Sequence, residues 1–249
     1  MKRILYLLSL SLIGMPLLAQ ELKPVAYTDS SQKLNGLVTA NTGKKLPGVL
    51  ILPAWKGIDQ EAKTAALELA KQGYIAFIAD IYGEGNVPTD NAAAAKIATY
   101  YKTDYKAYQH RIKLALEQLR KAGADIDHIA VIGYCFGGTG ALEVARAGYN
   151  ISGIVSIHGG LFKAADRPNE IIKTKVLIEN PANDKTVTKE DYERLITEMN
   201  EGKADWQLIT YAHCGHTFTN PESPEYNEVM AKRAWQHTLQ FLKEVLQRP

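Results

Sequence analysis

The run Ile129-Ala130-Val131-Ile132-Gly133-Tyr134-Cys135-Phe136-Gly137-Gly138 decides how the rest of this 249-residue chain is read. Its first four residues are apolar without alternation, the mark of a short strand covered on both faces. Glycines stand two positions either side of Cys135, and in a tight turn a side chain at either would collide with a neighbouring strand or helix. A helix starting at about Gly137 completes the unit of strand, sharp turn and helix. That G-x-C-x-G arrangement is a nucleophile elbow, in which the bend pushes the reactive side chain into the open. The positive end of the helix faces the sulfur and favours thiolate. A cysteine in apolar surroundings otherwise reads as a small buried hydrophobe; the coincidence of strand, glycines and helix start is what points to chemistry.

Working outward, the same alternation of apolar strand and longer helix recurs. Val49 to Leu52 is a buried-strand run, Gln60 to Gln72 a helix stopped by Gly73, and Tyr74 to Ala79 a strand ending at Asp80. Asn91 to Ala122 reads as one long helical stretch with Ile112, Leu116 and Leu119 on its apolar side. Beyond the elbow come strands Ile154 to Ile157 and Val176 to Ile178, helix Lys189 to Asn200, strand Trp206 to Tyr211 and a last helix ending near Leu246. Continuously apolar strands separated by helices imply a mostly parallel sheet with helices on both faces, an α/β three-layer sandwich with right-handed crossovers. Val25 to Thr28 and Leu34 to Thr39 read as an antiparallel edge hairpin turned at Ser30 to Gln32. No repeat or Pro/Gly/Ser linker divides the chain, so one domain is expected over residues 20–249.

Hydrophobic residues make up 46% and charged residues 22%, which excludes disordered, collagen-like and coiled-coil classes. Lys plus Arg is 29 against 27 for Asp plus Glu, with no basic block, so no nucleic-acid partner is expected. Two cysteines exclude a disulfide scaffold. Met1-Lys2-Arg3, the apolar run Ile4 to Ile13 and Ala19 read as a cleaved signal peptide over residues 1–19. The apolar stretch is short for a membrane span, and no cysteine near the cut would take a lipid. The expectation is export across the inner membrane, a periplasmic location and no stable membrane anchor.

A nucleophile on such an elbow needs an acid and then a base, later in the chain. The strand at Val176 to Ile178 runs into Glu179-Asn180-Pro181-Ala182-Asn183-Asp184, where Asp184 is the candidate acid and Glu179 the alternate. The next strand ends in Ala212-His213-Cys214-Gly215-His216-Thr217-Phe218, where His216, after the glycine and before an aromatic, is the better base than His213. His110, His128 and His237 read as surface residues. His158 lies at the C-terminal end of a central strand, the edge where crevice ligands bind. Pocket lining and a satisfied structural histidine both fit it. Tyr82 and Phe218 join it as candidate substrate-binding residues, each open to the alternative of ordinary packing.

Together these residues resemble the dienelactone hydrolase family of α/β-hydrolases. The likeness runs from about Leu46 to the C-terminus, through the Gly133–Gly138 elbow, the Ala79-Asp80-Ile81-Tyr82-Gly83 loop, Asn183-Asp184 and Gly215-His216-Thr217-Phe218. The resemblance implies a Cys135, Asp184, His216 triad and an oxyanion hole from the backbone N–H groups of Phe136 and Trp55. It implies no metal or organic cofactor. Three positions depart from the family pattern. Ala54 stands where a loop glutamate is expected, Glu84 where an arginine follows the Tyr82 loop, and Thr219-Asn220 where another follows the histidine. Missing arginines favour neutral esters or lactones over anionic substrates. The implied activity is cysteine-dependent hydrolysis of an ester, lactone or thioester, with a small-molecule substrate as partner; the alternative is a binding protein on this fold whose site is retired. Oligomeric state, acyl-chain preference and a Cys135–Cys214 disulfide stay open.

Overall fold

The antiparallel hairpin expected at the start is formed by β1 (Leu22–Asp29) and β2 (Gln32–Thr39), with Ser30 at φ +52° in the turn. The computed structural model describes residues 21–41 and 43–246; the signal segment read over residues 1–19 lies outside the described residues. The remaining strands are β3 (Leu46–Leu52), β4 (Ile75–Ile78), β5 (Ala124–Tyr134), β6 (Gly153–Ile157), β7 (Lys175–Pro181) and β8 (Trp206–Tyr211). They form one sheet in the order β1-β2-β4-β3-β5-β6-β7-β8. Only the β1–β2 and β2–β4 pairings are antiparallel; from β4 to β8 every pairing is parallel.

Six helices complete the described chain: α1 (Gln60–Lys71), α2 (Asn91–Thr103), α3 (Tyr105–Lys121), α4 (Phe136–Arg146), α5 (Lys189–Glu201) and α6 (Glu228–Leu246). Along β3, Val49 and Ile51 pack with Ala62, Leu69 and Leu242 of α1 and α6, while Leu50 and Leu52 pack with Ile112, Leu116 and Leu142 of α3 and α4. This two-sided burial is why the strand sequences show no polar alternation. Each such aliphatic side chain contributes roughly 1.5–3 kcal/mol by leaving water. The mostly parallel three-layer architecture is the one the sequence implies.

One helix boundary differs. The stretch read as a single helix is two, because Asp104 ends α2 and its carboxylate accepts the Ala107 N–H at 3.0 Å to cap α3. A capping side chain mid-run satisfies a new helix N-terminus and lets the chain bend. Among the described residues, no helix is long and apolar enough to cross a membrane.

Candidate active site

Gly133 and Gly137 make the elbow possible. A Cβ on Gly133 would lie 2.0 Å from the Gly137 carbonyl oxygen, and one on Gly137 would lie 2.0 Å from the Leu52 carbonyl oxygen. Helix α4 therefore starts in direct backbone contact with the end of β3. At the bend Cys135 adopts φ +53° and ψ −112° and gives its helix no side-chain cap. Such a conformation costs of order 1–3 kcal/mol for a residue with a side chain. Packing behind it holds the bend: the Phe136 ring stacks on Tyr108 with ring centres 4.5 Å apart, and the Tyr108 hydroxyl donates to the Phe136 carbonyl at 3.0 Å. As the first residue of α4, Phe136 keeps an N–H with no acceptor inside the helix.

Asp184 and His216 arrive from the loops after β7 and β8. Those loops are tied together where the Ala182 N–H donates to the Tyr211 carbonyl and the Asn183 N–H to the Cys214 carbonyl, both at 2.9 Å. The structure brings three predicted residues together: His216 Nε2 lies 3.0 Å from Cys135 Sγ, and His216 Nδ1 lies 2.7 Å from Asp184 Oδ2. The other carboxylate oxygen of Asp184 accepts from the Thr186 N–H at 2.8 Å and the Thr186 hydroxyl at 2.7 Å. Burial opposes charge on both partners, but the hydrogen bonds between them outweigh it. The His216 pKa is raised to about 10 by Asp184 and Cys135, and the Asp184 carboxyl is held below its ordinary value by His216 and Thr186. A nucleophile, an imidazole and an orienting carboxylate in this sequence can move a proton and attack a carbonyl.

Cys135 and His216 open onto a cavity of about 470 Å³. Three cations line it. Arg167 lies 3.5 Å over the Tyr105 ring and donates twice to Glu143, and Lys163 is 3.5 Å from Glu198. Lys102 is exposed and has no ion pair among the described residues.

Several expected site residues lie elsewhere. Tyr82 is buried against Phe136, and its hydroxyl donates to the Trp55 carbonyl at 2.9 Å; it steadies the loop that carries Trp55 rather than lining the cavity. Phe218, expected as substrate-binding, is fully buried and packs with Tyr211, Cys214 and Ala234, because the chain turns inward there to anchor the loop on α6. His158 is also buried, at φ +39°, and approaches the elbow from beneath: its Nδ1 accepts the Cys135 N–H at 3.1 Å. Glu179 is fully buried, accepts from the Tyr211 hydroxyl at 3.3 Å and makes no contact with His216; burial pushes its carboxyl well up. His213 is exposed, and both cysteines are free thiols, with Cys214 buried. Among the described residues, no group of three or more His, Cys, Asp or Glu is placed to hold a metal ion.

Thr186 and Thr219 were missed by the sequence reading as contributors to this region. A hydroxyl two residues after the acid is a signal for Thr186; for Thr219, read only as a missing arginine, the sequence carries no local signal.

The model for the dienelactone hydrolase family matches residues 34–246 of this chain. A carboxymethylenebutenolidase of Pseudomonas sp. is 28% identical over 206 residues, covering 80% of this chain and 85% of that protein. The solved structure of m3DLH superposes with a TM-score of 0.86 at 30% identity, covering 92% of this chain and all of the other. That of a dienelactone hydrolase-like promiscuous phosphotriesterase from metagenomic libraries gives 0.84, again at 30% identity and 92% of this chain.

Proposed function

The chain belongs to the dienelactone hydrolase family, a family of lactone and ester hydrolases, and from that premise we propose that it hydrolyses neutral esters, lactones or thioesters through an acyl-enzyme on Cys135. The observation that carries this reading is the 3.0 Å approach of His216 Nε2 to the Cys135 sulfur, backed by Asp184 at 2.7 Å. Cys135 Sγ attacks the substrate carbonyl carbon and its bond to the leaving group breaks. His216 passes a proton to the departing oxygen or sulfur, and Asp184 fixes the imidazole with its hydrogen on Nδ1 and supports its charge. The N–H groups of Phe136 and Trp55 hold the oxyanion, a contribution of about 3 kcal/mol per donor in acyl-transfer enzymes. Water, deprotonated by His216, then releases the acid and regenerates the thiol.

Preference for uncharged substrates is supported by the positions of the residues that replace the family's arginines. Glu84 is exposed, and Thr219 bonds to His158 beneath the elbow. Arg167 and Lys163 in the cavity are already engaged by Glu143 and Glu198. We read residues 1–19 as a cleaved export signal placing the enzyme in the periplasm; N-terminal sequencing of the protein from that fraction tests it.

The deciding experiment compares the parent with Cys135→Ala on p-nitrophenyl acetate and on a small lactone. Loss of at least about a thousandfold in kcat/KM is expected for the variant. Equal rates would end the proposal. Faster turnover of carboxylate-bearing than of neutral members of an ester panel would overturn the substrate preference, and loss of that advantage in Lys102→Ala would trace it to the unpaired cation.

A further inference from the structure

Beneath the elbow a second chain of hydrogen bonds runs away from Cys135. The Cys135 N–H is shared between the Ile157 carbonyl at 3.0 Å and His158 Nδ1 at 3.1 Å. Nε2 of the same ring lies 2.8 Å from Thr219 Oγ1, and the Thr219 hydroxyl lies 2.6 Å from Glu61 Oε1 on α1. The directions are forced. A nitrogen that accepts an amide hydrogen carries none of its own, so in the neutral ring the hydrogen is on Nε2 and is donated to Thr219. Thr219 then turns its own hydrogen to the Glu61 carboxylate. Glu61 forms part of the wall of a mainly apolar cavity of about 220 Å³ between α1 and α6.

We propose that Glu61, Thr219 and His158 form a positioning relay that fixes the His158 tautomer and thereby the orientation of the Cys135 peptide and the neighbouring Phe136 N–H. This inference rests on the assignment of Cys135 as nucleophile and of Phe136 N–H as oxyanion donor. The relay has work to do because Cys135 is held at φ +53°, where a side-chain-bearing residue does not stay without support. Its neutrality matters as well, since the His158 and His216 rings are 5.3 Å apart and a second positive charge there would oppose the imidazolium. Burial and His216 together lower the His158 pKa to about 3. Burial raises Glu61 to about 7, with Thr219 pulling it down and Asp59 pushing it up. The ionisable groups facing Glu61 are Asp59 and Glu68 from the α1 side, Tyr134 from β5, Glu179 from β7 and Glu222 from the loop before α6.

The test uses the full-length enzyme with p-nitrophenyl acetate. Thr219→Val is expected to lower kcat about tenfold, with KM changed less than about twofold, and Thr219→Ser to restore the parent rate. ¹⁵N NMR of the His158 ring should give the Nε2–H form in the parent and in Thr219→Ser, and a mixture of tautomers in Thr219→Val. As pH falls from about 9 to about 6 the parent's kcat should fall as Glu61 takes up its proton near 7, and Glu61→Gln should lack that inflection. A parent-like kcat, pH profile and tautomer in Thr219→Val, alongside an inactive Cys135→Ala, would overturn the relay and leave the nucleophile assignment standing. An active Cys135→Ala would remove the assignment on which the relay rests.

Discussion

His216 and His158 sit 5.3 Å apart on opposite sides of the elbow, and the protein drives them to opposite charge states. Burial opposes a positive charge on both. His216 nevertheless rises to about 10, because it touches Asp184 and the Cys135 sulfur directly, whereas His158 falls to about 3, because burial and the nearby His216 charge both oppose a proton there and no carboxylate touches the ring; Glu61 is reached only through Thr219. A direct carboxylate contact outweighs desolvation, and one relayed through a neutral hydroxyl does not. The cavity side of the elbow thus carries the charge that chemistry needs, and the underside carries a neutral hydrogen-bond relay. The same contrast separates two acids in and just after β7: the Asp184 carboxyl is held below its ordinary value against a cation, while that of Glu179, with no cation beside it, is pushed well up by burial.

The sharpest way to break this contrast is to neutralise the cavity-side acid while keeping its shape. Asp184→Asn should lower kcat by roughly a thousandfold or more, against about tenfold for Thr219→Val beneath the elbow. Comparable losses at the two positions would mean that the sides are not distinct in role.

Stability against pH gives a second, smaller effect with opposite signs. The folded pKa of His216, about 10, lies above its ordinary 6.5, so its contribution is complete below 6.5 and is lost as pH rises through about 10. The folded pKa of His158, about 3, lies below 6.5, so the unfolded ring takes up a proton that the folded ring refuses, and stability is lost as pH falls from 6.5 toward 3. In thermal melts across pH, His216→Gln should flatten the alkaline limb and His158→Gln the acid limb. Unchanged limbs in both variants would show that neither ring is perturbed in this way.

The smallest expected change concerns Glu179, whose fully buried carboxyl has only the neutral hydroxyls of Tyr211 and Thr238 beside it to offset its desolvation. Glu179→Leu should stabilise the protein by about 1 kcal/mol, seen as a Tm rise of roughly 2–4 °C. A fall in Tm would mean that the bonds from Tyr211 and Thr238 outweigh the desolvation of the carboxyl.

Much of the cavity side was legible because its signals are local. Gly133 and Gly137 are dictated by steric contacts within one turn, and the strand ends that deliver Asp184 and His216 are marked by where apolar runs stop. The choice of His216 over His213 followed from Gly215 and the aromatic at Phe218. The same local reading misplaced Tyr82 and Phe218, because an aromatic beside a motif looks alike whether it faces a cavity or the core. It also took Asn91 to Ala122 as one helix, since Asp104 as a cap and Asp104 as a solvated helix residue have the same composition.

Sequence by itself determined the layered α/β fold, the bend at Cys135 and the order of its partners, because periodicity and hard-sphere sterics act between residues close along the chain. Only the tertiary structure decided that His158 supports the elbow from beneath and that Thr219 and Glu61 complete the relay. Those bonds join residues 23, 61 and 158 positions apart. At such separations the partner of a polar side chain is set by how the layers pack, and no local pattern records it.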